Sequence, residues 1–204
     1  MSRVDRTNDG GYDRRMASRT VCILDGGRSG ATDGARDAVA ALAAARGFKT
    51  TVFRLRDVEI APCRGCFACW VKTPGICIVD DAAREIAQAV ARSDLLVYVT
   101  PVTFGGYSSE LKKGVDRLIP LILPYFTFVG REVHHIRRYR HYASLLAVGV
   151  LPRPDEIQER IFRKLVRRNS INFHAPDAEA CFVYEDGIEG RPSLEDAWSE
   201  VIEG

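Results

Sequence analysis

Three nearly continuous apolar runs restrict this chain more than any other feature: TVCILD (Thr20 to Asp25), DLLVYVTPV (Asp94 to Val102) and Ala143 to Val150. A strand that alternates apolar and polar residues covers one face of a sheet, whereas a strand apolar throughout is buried on both. Both faces are covered when helices lie on each side of a parallel sheet. Helical patterns fall between the runs, as that requires. An alanine-rich stretch reaches about Arg46 with Val39, Leu42 and Ala43 on its apolar face, and Gly47 ends it. Asp80 and Asp81 open a helix to about Arg92, where carboxylates suit the positive end of the dipole; Ile86 and Val90 mark its buried stripe. Ser108 or Ser109 caps the next helix. Pro154 to Arg168 is amphipathic, with Ile157, Ile161, Leu165 and Val166 inward, and Leu194 to Ile202 is an acidic closing helix.

Phe48 to Leu55, with Val52, Phe53 and Leu55 as its apolar members, and Ala178 to Tyr184 bring the strands to five. Right-handed crossovers then predict a doubly wound five-stranded parallel sheet in the flavodoxin-like order 2-1-3-4-5, three layers deep (α/β/α). The 204 residues supply one substantial core, so residues 19–204 are expected to form a single domain. Residues 1–18, MSRVDRTNDGGYDRRMAS, read as a loose polar tail with no hydrophobic segment of a secretory signal. A cytoplasmic, reducing setting is therefore expected. A net charge of +2 gives no global reason for a nucleic-acid partner, and no apolar run is long enough to span a bilayer.

Sheets of this kind bind ligands outside the carboxyl ends of their strands, where the strand order reverses. The loops expected there are Gly26 to Thr32, Pro101 to Tyr107 and the turn around Gly149 to Pro152, with a cysteine-bearing loop at the same edge. In the first loop, Gly27, Arg28, Ser29, Gly30 and Thr32 precede a helix, where backbone N–H groups and the dipole favour a phosphate. The loop is neither a P-loop nor a dinucleotide fingerprint, and a plain turn capped by Thr32 is the simpler alternative. Asp25 and Asp33 flank it and would repel a dianion. In the second loop, Pro101, Val102, Thr103, Phe104, Gly105 and Gly106 have the makings of a flat-ring site: proline stiffens it, glycines admit close approach and Phe104 can cover a face. Ile119 to Val129 is apolar but interrupted by proline, which predicts a loop or a contact surface. His134, His135 and His141 lie in the basic, aromatic VHHIRRYRHY, which reads as a nucleotide-phosphate or subunit contact, or equally as a solvated basic loop.

Cys63, Cys66, Cys69 and Cys77 are spaced C-x₂-C-x₂-C-x₇-C within PCRGCFACWVKTPGICIVDD. Three thiols at three-residue intervals can face one point, and a Pro74-Gly75 turn can return the fourth. Disulfides between such close neighbours are geometrically awkward. A [4Fe–4S] cluster, bare or redox-active thiols, structural zinc, and an inert remnant all remain open on spacing. Phe67 and Trp70 between the thiols would shield a cluster, cover a flat cofactor or anchor the loop. Cys22, inside the first strand, reads as a core residue.

With IAPCRGCFACWVKTPGICIVDD, TPVTFGGYSSELKKGVDR and the strand–helix order in view, the chain resembles the flavodoxin-fold NADPH-dependent FMN reductases, specifically their branch of iron–sulfur flavoproteins. The resemblance covers roughly Thr20 to Tyr184. It implies FMN, with Arg28, Ser29 and Thr32 on its phosphate and Pro101 to Gly106 along its isoalloxazine. It also implies a [4Fe–4S] cluster on Cys63, Cys66, Cys69 and Cys77, and NAD(P)H as electron donor. A quinone, nitro compound or other small acceptor would follow, or a redox partner protein, in a homodimer or homotetramer. Two positions depart from the family's pattern: the first loop reads Asp25-Gly26-Gly27-Arg28, and Thr103 stands where a tyrosine is common. An electron-transfer or redox-sensing flavoprotein without its own substrate, and a zinc-stabilised binding protein, are the alternatives.

Overall fold

A parallel sheet with helices on both faces forms the body of the described residues, and a small hairpin lies beside it. The computed structural model describes residues 19–28, 30–187 and 190–203, so the expected tail (residues 1–18) and Ser29 lie outside the described residues. The first half comprises β1 (Thr20–Asp25), α1 (Gly30–Ala45), β2 (Lys49–Arg54), α2 (Ala68–Val71), α3 (Ala82–Arg92), β3 (Leu95–Pro101) and α4 (Ser109–Asp116). The second comprises β4 (Ile122–Val129), β5 (Glu132–Arg137), β6 (Ser144–Leu151), α5 (Glu156–Phe173), β7 (Ala178–Tyr184) and α6 (Leu194–Glu203). The main sheet runs β2-β1-β3-β6-β7, every pairing parallel. Counted among its own five strands, that is the expected order 2-1-3-4-5.

Burial follows sheet position. All residues of the interior strand β6 are buried, as are all of the central β3 but Pro101. The edge strand β2 buries only Phe53 of its apolar members and leaves Val52 exposed. One face packs under α3, α4 and α5 through Ile86, Val90, Leu111, Phe162 and Val166. The other packs under α1 and α6 through Val39, Ala43, Trp198 and Val201. Three of these helices begin on side-chain caps: Asp81 accepts from the Ala83 amide, Ser108, not Ser109, accepts from the Leu111 amide, and Asp155 accepts from the Ile157 and Gln158 amides.

Three expectations need correction. Ile119 to Val129 is not a loop: most of it is β4, which pairs antiparallel with β5 in a separate hairpin. Pro124 is tolerated because the register shifts between Ile122 and Phe126, a bulge where the missing N–H is not required. Val133 to Arg137 of the histidine stretch are correspondingly in β5, while Arg138 to Tyr142, with His141, follow it as irregular chain. Ile157 and Ile161 do not face the core; they are exposed, and Phe162, Val166 and Ser170 form the buried row of α5. That row follows the same helical spacing one residue on, about 100° around the axis. Finally, β6 runs through Gly149 to Leu151, so the loop expected there begins only at Pro152.

Candidate functional site

The first loop leaves β1 at Asp25, a residue 1% exposed. Asp25 Oδ1 accepts from the Gly27 amide at 2.8 Å and its Oδ2 accepts from Arg36 at 2.9 Å. Arg36 also pairs with Asp33, which accepts from Arg56 at 2.8 Å. The Arg36 hydrogen bond, against some desolvation and with help from Arg56, holds the Asp33 carboxyl below its ordinary range. Both carboxylates that threatened to repel an anion are therefore neutralised by guanidinium groups. Arg28 is largely exposed and reaches Glu110 at 2.8 Å. Gly27 has a packing reason of its own: a Cβ there would lie 1.9 Å from the Thr32 hydroxyl, and Thr32 is fully buried. A Cβ at Gly30 would meet nothing, so the entrance to α1 is open.

The second loop is stitched to the first. Gly26 donates to the Val99 carbonyl at 2.8 Å, and the Ser108 hydroxyl donates to the Gly26 carbonyl at 2.7 Å. β1 and β3 are neighbours while the chain crosses between them by way of β2, so both loops open where the strand order reverses. Within Val102 to Gly106, Thr103 and Gly106 exchange backbone hydrogen bonds of 3.0 and 2.8 Å, and the Val102 and Gly105 amides bond to Val150 and Gln158. Phe104 and Gly105 form the tip, with φ of 51° and 75°. Phenylalanine rarely adopts that conformation, yet its ring is held out in solvent at 93% exposure. Gly105 is required on two counts, since a Cβ would also lie 2.6 Å from Ile161.

The cysteine segment follows β2. Gly65 and Phe67 at positive φ turn the chain, α2 places Cys69 inward, and the Pro74-Gly75 turn returns Cys77. Cys63, Cys66, Cys69 and Cys77 line one cavity, with Arg117 and Phe67 among its other walls. Burial, and then the charges of Cys77, Cys63 and Cys66, push the Cys69 thiol up. Cys77 and Arg117 also border a groove of about 1020 Å³ along α3. Cys22 and Cys181 stand apart as core residues, their thiols raised to about 12 by burial.

The tertiary contacts of several residues here could not be read from the sequence. The hairpin supports the cysteine segment: Phe67 stacks on Trp70 with centroids 5.2 Å apart, Trp70 meets His135 at 4.9 Å, and His135 meets Phe126 at 4.5 Å. Trp70 Nε1 donates to the Ile122 carbonyl at 2.9 Å. The FTFV and EVHHI runs around Gly130-Arg131 were the hairpin's available signature. Arg117, the C-cap of α4, is buried and grips Asp81 through two nitrogens at 2.8 and 2.9 Å. The histidines are structural: His134 bonds Asn172 and Glu132, His135 the Leu123 carbonyl, and His141 the Ser93 carbonyl.

A doubly wound sheet with a two-loop crevice at its switch point defines a flavodoxin-like α/β protein. The chain belongs to the NADPH-dependent FMN reductase family, whose profile matches residues 20–135. An iron–sulfur flavoprotein of Methanosarcina thermophila is 34% identical over 76 residues, 37% of this chain and 39% of that one. Another, from Methanocaldococcus jannaschii, is 38% identical over 86 residues, 42% of this chain and 43% of that one. The chain thus spans about two-fifths of the length of the curated relatives it matches. Among solved structures, an NAD(P)H:quinone oxidoreductase from Methanothermobacter marburgensis superposes with a TM-score of 0.61 at 14% identity, covering 82% of this chain and 87% of the other. An azoreductase from Bacillus anthracis gives 0.58 at 12%, covering 83% and 88%. Those two likenesses establish the fold.

Proposed function

We propose that this protein is an FMN-dependent NAD(P)H oxidoreductase. It passes electrons to a small acceptor such as a quinone or nitro compound, or through a [4Fe–4S] cluster on Cys63, Cys66, Cys69 and Cys77 to a partner protein. The observation that carries the reading is the stitched pair of loops at the β1/β3 switch point, with Phe104 held out beside them at positive φ. The residues suit the cofactor. The open N-terminus of α1, with Gly27, Arg28, Gly30 and Thr32, offers an anion site whose neighbouring carboxylates are already paired. Ser29 belongs to the same proposed set. Pro101 to Gly106 form a rigid turn whose amides at Val102, Thr103, Gly105 and Gly106 are bonded internally, so the Phe104 ring is what it offers a flat partner.

FMN supplies two-electron acceptance from a nicotinamide and onward electron delivery. The chain's own part is to bind and orient: Arg28 and the α1 amides at the phosphate, Phe104 over a ring face. No side chain of this site is assigned a proton. Four thiols lining one cavity favour a group that needs all four. Among the described residues no three His, Cys, Asp or Glu side chains are gathered as a metal site requires, so the cluster, like the zinc alternative, rests on the thiols' shared cavity, and the relatives' names favour the cluster. The exposed hairpin face, with Tyr125, Phe126, Phe128 and Val133, is the proposed contact of a homodimer or homotetramer. No helix among the described residues is long and apolar enough to cross a membrane, and a reducing cytoplasm suits free thiols.

The test is an absorption spectrum of anaerobically purified protein before and after NADPH. Flavin bands with a broad brown shoulder, both bleaching, support flavin and cluster together. Flavin bands alone leave an FMN reductase with structural thiols, and flavin without NAD(P)H turnover leaves an electron carrier. A colourless protein sinks the proposal.

A further inference from the structure

Arg117 is 2% exposed, in a position where a guanidinium is expensive unless every donor is used. Nη1 donates to Asp81 Oδ2 at 2.8 Å and to the Ala61 carbonyl at 2.6 Å; Nη2 donates to Asp81 Oδ1 at 2.9 Å and to the Val79 carbonyl at 3.4 Å. Nε is buried and has no hydrogen-bond partner among the described residues. The side chain borders the cavity lined by the four cysteines, and no carboxylate lines that cavity. Asp81 sits behind Arg117, capping α3, and neutralises it without lining the thiol cavity. A buried ion pair used only as a staple can usually be replaced by apolar residues without loss. A cation turned to an acid-free cavity of thiols, with one donor open, has a more specific use.

We propose that Arg117 is a positioning residue of the thiol centre: a fixed cation that balances the negative charge gathered by Cys63, Cys66, Cys69 and Cys77 and thereby raises the electron affinity of the group they hold. The inference rests on the cluster reading above. A thiolate-ligated cluster gains one negative charge when it takes an electron, so a nearby buried cation favours the reduced form. The exposed Arg64 lines the same cavity but is screened by solvent, which leaves Arg117 as the effective charge.

The experiment compares anaerobically purified wild type, Arg117→Lys, and the double variant Arg117→Met/Asp81→Asn. The double variant removes both charges and keeps an α3 cap. Iron and acid-labile sulfide are counted, folding is checked by circular dichroism, and the cluster is titrated potentiometrically under EPR. Taking away the nearer charge should lower the reduced-to-oxidised ratio at the wild-type midpoint by about tenfold, which is about 59 mV for one electron. Arg117→Lys keeps the charge and should stay within about threefold of wild type. A folded double variant that binds no iron while the lysine variant does also supports the proposal. Equal midpoints in all three, with iron bound in each, overturn it and leave the cluster reading intact. Loss of iron from both variants overturns it too, because the fork and not the charge would then matter. Wild type without iron removes the cluster and this inference together while leaving the flavin reading to its own spectrum. Should the double variant not fold, Arg117→Gln/Asp81→Asn takes its place in the same comparison: a midpoint lowered against Arg117→Lys supports the charge, and an equal one overturns it.

Discussion

Phe104 gives the sharpest test of the flavin site, because stability and binding should move in opposite directions when it is changed. Its φ is 51° and its side chain is 93% exposed, so the folded protein carries the backbone cost while gaining almost no burial. The left-handed region costs an ordinary residue about 1–2 kcal/mol, whereas asparagine enters it readily. With less than a tenth of the side chain buried, the lost hydrophobic contribution in Phe104→Asn is only about 0.4 kcal/mol. Flavin-free Phe104→Asn should therefore be more stable than wild type by roughly 0.6–1.6 kcal/mol, a rise of about 1–6 °C in Tm for a chain of this length. A ring that stacks on the isoalloxazine contributes about 0.5–1.5 kcal/mol beyond its area, so the Kd for FMN should rise roughly 2- to 12-fold. Urea denaturation of the flavin-free protein measures the first quantity, and quenching of FMN fluorescence measures the second. A variant that is destabilised, or that binds FMN as tightly as wild type, refutes the assignment of Phe104 as a ring contact maintained at a backbone cost.

Arg36→Met leaves the buried Asp25 carboxylate without its guanidinium and should cost about 3–5 kcal/mol in denaturant unfolding. Trp70→Phe keeps most of the stack but loses the hydrogen bond to the Ile122 carbonyl; about 1 kcal/mol of stability should go, and iron content should fall if the hairpin supports the thiol centre. Burial alone would raise the Asp81 carboxyl, but Arg117 and the Ala61 and Ala83 amides bring it below its ordinary 3.8. A depressed folded pKa stabilises above the unfolded value and is lost as pH falls through the folded one, so acid titration of Asp81→Asn should show a shallower loss of stability below about pH 4. In metal-free protein, iodoacetamide at neutral pH should label the exposed Cys63 and Cys66 and spare Cys22 and Cys181, as read by peptide mass mapping.

What the sequence made legible was set by local physics. Apolar runs such as Asp94 to Val102 can be buried only between helices, and Asp81 and Ser108 are cap residues whose role needs no knowledge of distant contacts. Cysteine spacing likewise placed four thiols on one cavity. The hairpin was hidden because Pro124 argues against a strand unless a bulge excuses it, and the bulge exists only in the paired state. Val166 and Leu165 were read correctly on the inner side of α5, but Ile157 and Ile161 were not, because apolar residues stand on both sides of that helix and Phe162, not Ile161, turns to the sheet. Arg36, Arg56 and Arg117 were invisible as site residues, since an arginine's partner is chosen by tertiary contact. Asp25 and Asp33 consequently looked repulsive to an anion when each is already neutralised.

Helix α4 connects the two halves of the proposed site. Its N-terminal end is fixed to the flavin loops, through Ser108 to the Gly26 carbonyl and through Glu110 to Arg28. Its C-terminal end is fixed to the cysteine segment, through Arg117 to Asp81, Ala61 and Val79. Eight residues of α-helix span about 12 Å. An α-helix is stiff over so short a length, so neither end moves without the other, and the buried Leu111 and Gly114 hold it on the sheet. The spacing between the flavin loops and the thiols is thus set by one rigid element and not by the long connections around it. The residues that fix it, Ser108 and Arg117, lie nine positions apart in the sequence.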